Sequence, residues 1–359
     1  MKKRKPDKRL ILIILALLIF GLIILFSASM VISQERTGKP YYYFLHQLLY
    51  GGVIGLIAFF ICQKIHYKTW KKFSLLIFFA ALILSILVFV PQLGFKHGGA
   101  QRWIAIGPFF FQPSEFLKLA FIIYLAAFFT KKNVFNTLIP FLVITALIGG
   151  LMTLQTDAGT LGLIVVVGFV MYFLSGAKIH QMAIVAVCYA AAFFSLIKFF
   201  PHRMERFITF LNPSIDPQGI SYQINQALLA IGSGGIFGKG LGHSIQKYSY
   251  LPEVMGDSIF AIAAEEIGFI GIIILIILFI LLIFKGLRIS KKVPDEFAKL
   301  LACGIVCWFG FQVLINVAAI SGLIPLTGIP LPFVSYGSSA LIITLAGAGI
   351  LVNISKHTI

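Results

Sequence analysis

The 359-residue chain is poor in acid: 12 Asp and Glu stand against 29 Lys and Arg. Charged residues of both signs make up 11% of it, where a soluble domain carries about 25%. That scarcity excludes a soluble globular domain. With 59% hydrophobic residues, the chain reads as an integral membrane protein. Cysteine is scarce too. Cys62, Cys188, Cys303 and Cys307 all fall in apolar runs. Cys303 and Cys307 share a helix face, but no His or second pair completes a metal set, and a disulfide at that spacing strains a helix. All four read as core packing. The sequence also lacks the short alternating segments of an outer-membrane barrel, any repeat of fixed period and any appended soluble domain. A helical bundle remains, because in lipid only helices or closed barrels satisfy the backbone.

Ten apolar runs are long enough for membrane helices at about 17 to 25 residues each. They cover roughly 10–30, 42–62, 73–91, 113–130, 138–153, 160–176, 181–199, 258–284, 299–320 and 339–354. The expected fold is an all-α polytopic membrane protein, one domain over residues 1–359. Its outer loops run over about 91–112 and 200–256, the second lying between helices 7 and 8. The basic start "MKKRKPDKR" resembles a signal peptide, but the run after it lacks a small-residue cleavage site. A retained first helix with the N-terminus inside is the better reading.

Charge tests that topology. With both termini cytoplasmic, 19 of the 29 Lys and Arg lie inside and nine outside, with Lys118 within a span. This satisfies the positive-inside rule. Only Asp7, Asp295 and Glu296 are acids on the inner side. The net charge of +17 therefore reports topology and attraction to anionic lipid rather than to nucleic acid. Carboxylate chemistry belongs to the outer side or the membrane.

Long loops are where function concentrates. In the second, "SYQINQALLAI" has apolar residues at Ile224, Ala227, Leu228 and Ile231, the stripe of a short helix lying on the bundle. The following "GSGGIFGKGLG" fails the phosphate-loop pattern, with Ser233 and Gly240 at its key positions. It is either a closely packed turn or a backbone contact for a phosphate-bearing lipid.

Charges within spans are candidates by default. Glu115 and Lys118, at i, i+3, form either a self-compensating ion pair or a site where Lys118, with Arg102, faces an anionic ligand in the outer cavity. Trp103 is an interfacial anchor or a platform for a sugar ring. In "QTDAGT", Asp157 caps the next helix or, with Gln155, orders the cavity. In "YLPEVMGDSIFAIAAEE", Asp257 marks the start of the eighth span at the membrane–water boundary, as an N-cap or as a general base. Glu265 and Glu266 lie two turns deeper, where a carboxylate must be paired or protonated. The expectation is that one of them is a structural partner. "PLTGIPLPFVSYGSS", with Ser335 and Tyr336, reads as a re-entrant connection lining the cavity.

The segments "GGAQRWIAIGPFFFQPSEFLKLA", "QTDAGT", "NPSIDPQGISYQINQALLAIGSGGIFGKGLGHSIQKYSYLPE", "GDSIFAIAAEEIGFIG" and "PLTGIPLPFVSYGSS" resemble signature segments of the SEDS family, the FtsW, RodA and SpoVE group. The resemblance spans essentially the whole chain. It implies a ten-helix enzyme that polymerises lipid II into glycan strands on the outer face of the bacterial cytoplasmic membrane. It also implies a class B penicillin-binding protein as partner, among other divisome or elongasome membrane proteins. The family's essential acid falls on Asp257, and its other sensitive positions on Arg102, Trp103, Glu115 and Lys118. Two departures stand out. Met255-Gly256 replaces the family's common His-Thr, with Ser258 in place of Phe, and "SYGSS" has one glycine fewer than usual. "GHSIQKYSYLPE" looks closer to the FtsW and SpoVE side.

The chemistry implied is inverting transfer. Asp257 takes the proton of the acceptor GlcNAc 4-hydroxyl, and undecaprenyl pyrophosphate leaves, its charge met by Arg102, Lys118, Arg203, Arg206 or Lys239. No cofactor is evident, and a divalent cation stays open. The rival reading is a lipid II flippase lined by Glu115, Lys118, Glu265 and Glu266; a third is a scaffold without activity.

Overall fold

The computed structural model describes residues 5–97, 100–107, 109–131, 137–199, 201–212, 219 and 221–359. The basic residues 2–4, Lys132 and most of the "NPSIDPQGI" stretch lie outside the described residues, as do the side chains of Arg203 and Arg206.

Helix α1 (Lys8–Thr37) starts where the Asp7 carboxylate accepts from the backbone of Arg9 and Leu10, at 2.9 and 3.1 Å. Thirty residues make it about 45 Å long, enough to cross a membrane. The second apolar run is one helical rod of α2 (Tyr42–His46), a π-helical stretch Gln47–Val53, and α3 (Ile54–Lys64). Next come α4 (Tyr67–Leu87), α5 (Pro113–Lys131), α6 (Leu138–Leu154), α7 (Ala158–Leu174) and α8 (Ile179–Phe199). The long segment after α8 supplies α9 (Pro201–Leu211) and α10 (Tyr222–Ser233). The chain finishes with α11 (Ile259–Lys292), α12 (Glu296–Ile320) and α13 (Ser338–Ser355).

Among the described residues eight helices are long and apolar enough to cross a membrane, counting Tyr42–Lys64 as one. The shorter apolar α6 and α7 coincide with the fifth and sixth expected runs. Helices α5, α12 and α13 form the buried centre, whereas α8 buries little beyond Gln181, Met182 and Val185. Close approach of α13 to α3 depends on small residues. A Cβ at Gly349 would overlap the Phe59 carbonyl, and one at Gly55 would come within 2.6 Å of Leu345 Cδ1, the small-residue packing usual between membrane helices. The chain ends meet: Asp7 N donates to Ser355 Oγ at 3.1 Å. Asp7 and Ser355 therefore lie at the same end of the bundle.

The structure departs from the all-α expectation in the segment before α5. It folds as an antiparallel sheet, β1 (Gly94–His97), β2 (Ala100–Ile106) and β3 (Phe109–Phe111), in the order β1-β2-β3. Phe95 pairs with Trp103, and Ile104 with Phe111. Aromatic and β-branched residues suit strands, and pairing within the segment satisfies its own backbone.

The eighth expected run also differs, because α11 is broken at Gly268, whose φ of 66° and ψ of −170° no helix contains. The break exposes backbone groups that the glycine-rich stretch then satisfies. Lys239 N and Gly240 N donate to the carbonyls of Glu265 and Glu266, each at 2.9 Å, and Phe269 N donates to Gly235 O at 2.9 Å. Gly238, at φ 81°, lies so close that a Cβ there would overlap the Glu266 carbonyl. The stretch forms a closely packed turn that patches a broken helix.

Candidate active site

At the end of the bundle where α1 finishes and α11 begins lies a cavity of about 1050 Å³. It is walled by the C-terminal end of α1, by α2, β2 and α10, and by the connection between α12 and α13. Asp257, Arg102, Trp103 and Tyr336, four of the residues singled out from sequence, line it together.

Asp257 sits on a run of turns just before α11. The N-cap is Ser258, without a side-chain capping bond, so Asp257 does not serve as the cap. The turn is braced from several sides. Gly256 N donates to Glu253 O at 2.8 Å, where Glu253 has a φ of 51°. Ser335 Oγ donates to Gly256 O at 2.7 Å, and Tyr336 N donates to Met255 O at 2.8 Å. Asn316 on α12 donates through Nδ2 to the Asp257 carbonyl at 2.9 Å and to Ile329 O at 2.8 Å. The backbone is thereby fixed while the half-buried carboxylate faces the cavity. Gln223 on α10 places its Nε2 at 3.3 Å from Asp257 Oδ1 and 3.0 Å from Ser258 Oγ.

Arg102 reaches from β2 to the "QTDAGT" turn. Its Nε donates to Gln155 O at 3.4 Å, its Nη2 donates to Thr156 O, and its Nη1 lies 4.0 Å from Asp157 Oδ1. Asp157 also caps α7, accepting from Thr160 N at 3.3 Å and from Ser114 Oγ at 3.1 Å. Gln155 is buried and donates to Ser85 O at 2.7 Å. The turn thus holds the Arg102 guanidinium itself. A quarter of that side chain stays exposed, so it presents positive charge to the cavity. Tyr336 OH lies 3.1 Å from His46 Nδ1, and Tyr43 packs edge-on against the Tyr336 ring. Burial, with Tyr43 and Tyr42 nearby, pushes the Tyr336 phenol up.

Other candidates do not reach this cavity. Lys118 does not face it: its side chain is 2% exposed, pairs with Glu115 at 2.9 Å, lies 3.2 Å from Gln312 Oε1 and stands over the Trp308 ring. A cation on the inward face of the most buried helices is satisfied there or not at all. Lys239 likewise turns away, pairing with Glu265 at 2.7 Å. Glu265 also accepts from Ser244 Oγ and from the backbone of Ile245 and Gln246. Glu266 pairs with Lys247 at 3.0 Å and accepts from Ser27 Oγ at 2.6 Å. Both carboxylates are therefore structural partners, where the helical 100° offset pointed to one. The break at Gly268 lets the glycine-rich stretch and the turn after it wrap both. Arg203 and Arg206 lie on α9, which contributes Phe210 to the cavity wall; their side chains lie outside the described residues.

The sequence signature of the FtsW, RodA and SpoVE cell cycle proteins matches residues 8–359. The chain belongs to this family. It is 40% identical to stage V sporulation protein E of Bacillus subtilis, over 99% of each chain. It is 36% identical to a probable peptidoglycan glycosyltransferase FtsW of Trichlorobacter lovleyi, over 98% of this chain and 95% of that one. Among solved structures, a chain of a peptidoglycan synthase complex superposes with a TM-score of 0.80 at 25% identity, covering 98% of this chain and 97% of that one. The rod shape determining protein RodA of Thermus thermophilus does so with 0.72 at 26% identity, covering 98% and 96%.

For this FtsW/RodA/SpoVE protein, sequence reasoning missed several cavity residues: Arg36, His46, Gln223 and Glu253. Gln223 carried a usable signal, since it stands off the apolar stripe of α10. His46 carried none. It sits at the join of α2 and the π-helical stretch, a geometry that apolar periodicity does not announce, though such stretches often mark functional positions.

Proposed function

We propose that this protein is a peptidoglycan glycosyltransferase that polymerises lipid II into glycan strands on the outer face of the bacterial cytoplasmic membrane. In this reading the chain crosses the membrane ten times with both termini cytoplasmic, and it works beside a class B penicillin-binding protein. Support for the activity comes from relatives called peptidoglycan glycosyltransferases along nearly their whole length and from the likeness to a synthase complex described as coordinating polymerization and crosslinking. Higher identity to the sporulation protein and to FtsW than to the RodA structure favours a role in division or sporulation.

The observation that carries the mechanism is the position of Asp257, which lines the cavity on a backbone fixed by its neighbours. Asp257 accepts the proton of the GlcNAc 4-hydroxyl as that oxygen attacks the anomeric carbon of the MurNAc at the end of the growing chain. The bond to undecaprenyl pyrophosphate breaks on the opposite face, giving inversion. Arg102, held by the Gln155–Asp157 turn, meets the charge that develops on the pyrophosphate oxygens, and Arg36, which lines the cavity from the end of α1, adds to it. Trp103 and the tyrosines of the rim supply flat apolar faces for sugar rings.

The transporter reading rests on intramembrane charges, and those are engaged with one another: Glu115 with Lys118, Glu265 with Lys239, Glu266 with Lys247. Purified protein and its partner, given lipid II, are expected to produce polymer resolvable on a gel. Asp257→Asn is expected to yield none while keeping expression and partner binding. Wild-type protein that moves lipid II across vesicles but makes no polymer overturns the proposal.

A further inference from the structure

A second cleft, of about 490 Å³, lies at the far end of the same two helices. The active-site cavity takes the C-terminal end of α1 and the turn before α11, whereas this cleft takes the N-terminal end of α1 and the C-terminal end of α11. It belongs to a separate site about the length of a membrane helix away. Lys5, Lys8, Arg9, Lys285, Arg288 and Lys292 line it.

Among the described residues Asp7 is the one acid in that lining, and its charge is already engaged. It accepts from the backbone of Arg9 and Leu10 and pairs with Lys285 at 3.6 Å. Among the described residues no carboxylate pairs with Lys8, Arg9, Arg288 or Lys292. Like charges crowded into one concave site repel, and an arrangement that keeps them together calls for an anion. Five positive charges in excess suit a phosphate group.

The surroundings decide which phosphate. Within one helical turn of these cations stand exposed Leu12 on α1 (65% exposed) and exposed Leu281 and Phe284 on α11 (42% and 62%). An anion held by the cleft therefore has apolar helix surface directly beside it. That combination fits an anionic phospholipid, with its phosphate among the cations and its acyl chains along Leu12 and Phe284. A soluble phosphate compound has nothing to place there.

We propose that this cleft binds the headgroup of an anionic phospholipid in the leaflet opposite the active site, clasping the N-terminal end of α1 to the C-terminal end of α11. Each juxtamembrane Lys or Arg contributes about fivefold to such binding. The test is native mass spectrometry of the purified full-length protein, titrated with phosphatidylglycerol or phosphatidylcholine. Wild type is expected to retain phosphatidylglycerol in preference, and glycerol 3-phosphate at equal concentration is expected not to displace it. Arg288→Gln/Lys292→Gln is expected to weaken phosphatidylglycerol retention roughly thirtyfold with polymerisation of lipid II in detergent unchanged. Lys8→Gln/Arg9→Gln, on the other helix, is expected to do the same and serves if the first variant does not fold. Retention by a folded variant within twofold of wild type overturns the proposal, and so does equal displacement by glycerol 3-phosphate.

Discussion

Asp257 and Glu265 stand eight residues apart, on either side of the first turns of α11, and their surroundings are opposite. Glu265 is fully buried and wrapped by Lys239, Ser244 and the backbone of Ile245 and Gln246. Glu266 beside it is held by Lys247 and Ser27. Asp257 lines a large cavity, and it is its backbone that the neighbouring connection grips. A carboxylate surrounded by donors has its lone pairs occupied and cannot take a substrate proton. Asp257, whose main chain is fixed and whose side chain lines the cavity, is the candidate for that transfer. The two regions differ in what they do for the fold: one staples a broken helix to the glycine-rich stretch and the turn after it, and the other forms part of the cavity wall.

That division can be broken first at the staple. Glu266→Ala leaves Lys247 charged and buried without its partner, and is expected to destabilise the protein by about 3 to 5 kcal/mol. A melting temperature equal to wild type would remove the structural role assigned to the pair. Gly268→Ala attacks the break itself, since its left-handed φ and its contact with the Gly238 backbone leave no place for a Cβ. A cost of about 1 to 3 kcal/mol is expected, read from thermal melts in one detergent.

Lys118 sharpens the comparison, because it belongs to the buried group although its sequence neighbours pointed toward the cavity. A double-mutant cycle of Glu115→Gln and Lys118→Met is expected to give a coupling of about 0.5 to 3 kcal/mol in stability. Additive effects would mean that the pair is not a unit. The smallest effect is at Gln223. Losing its amide beside Asp257 removes about 0.5 to 1.5 kcal/mol of hydrogen bonding. Gln223→Ala should therefore slow polymerisation a few-fold while lowering the melting temperature only slightly, through the lost bonds to Asp257 and Ser258. A shifted melting temperature with unchanged rate would make Gln223 a packing residue.

Much of this was legible in the sequence, and the reasons differ by region. Apolar runs 113–130, 138–153 and 339–354 return as Pro113–Lys131, Leu138–Leu154 and Ser338–Ser355, since a lipid environment forces helices on such runs. Helix α11 extends to Lys292, beyond the expected 284, because a helix continues past the hydrocarbon once Lys285 and Arg288 can reach water. The sheet at 94–111 was not legible, as its pairing depends on contacts across a loop rather than on a period. Apart from Ser27, the partners of Glu265 and Glu266 lie some twenty residues upstream, and the break at Gly268 lets that stretch pack against them. Arg102, Trp103, Asp257 and Tyr336 were legible as candidates, but their meeting in one cavity is a property of the fold.

The most direct test sets the two carboxylates side by side. Asp257→Asn and Glu265→Gln are purified with the partner, melted, and assayed for polymer from lipid II per folded molecule. The predicted result is a crossed pattern. Asp257→Asn melts like wild type and loses at least about a hundredfold in polymerisation, while Glu265→Gln melts lower and keeps measurable polymerisation. Polymer from Asp257→Asn at the wild-type rate contradicts the account.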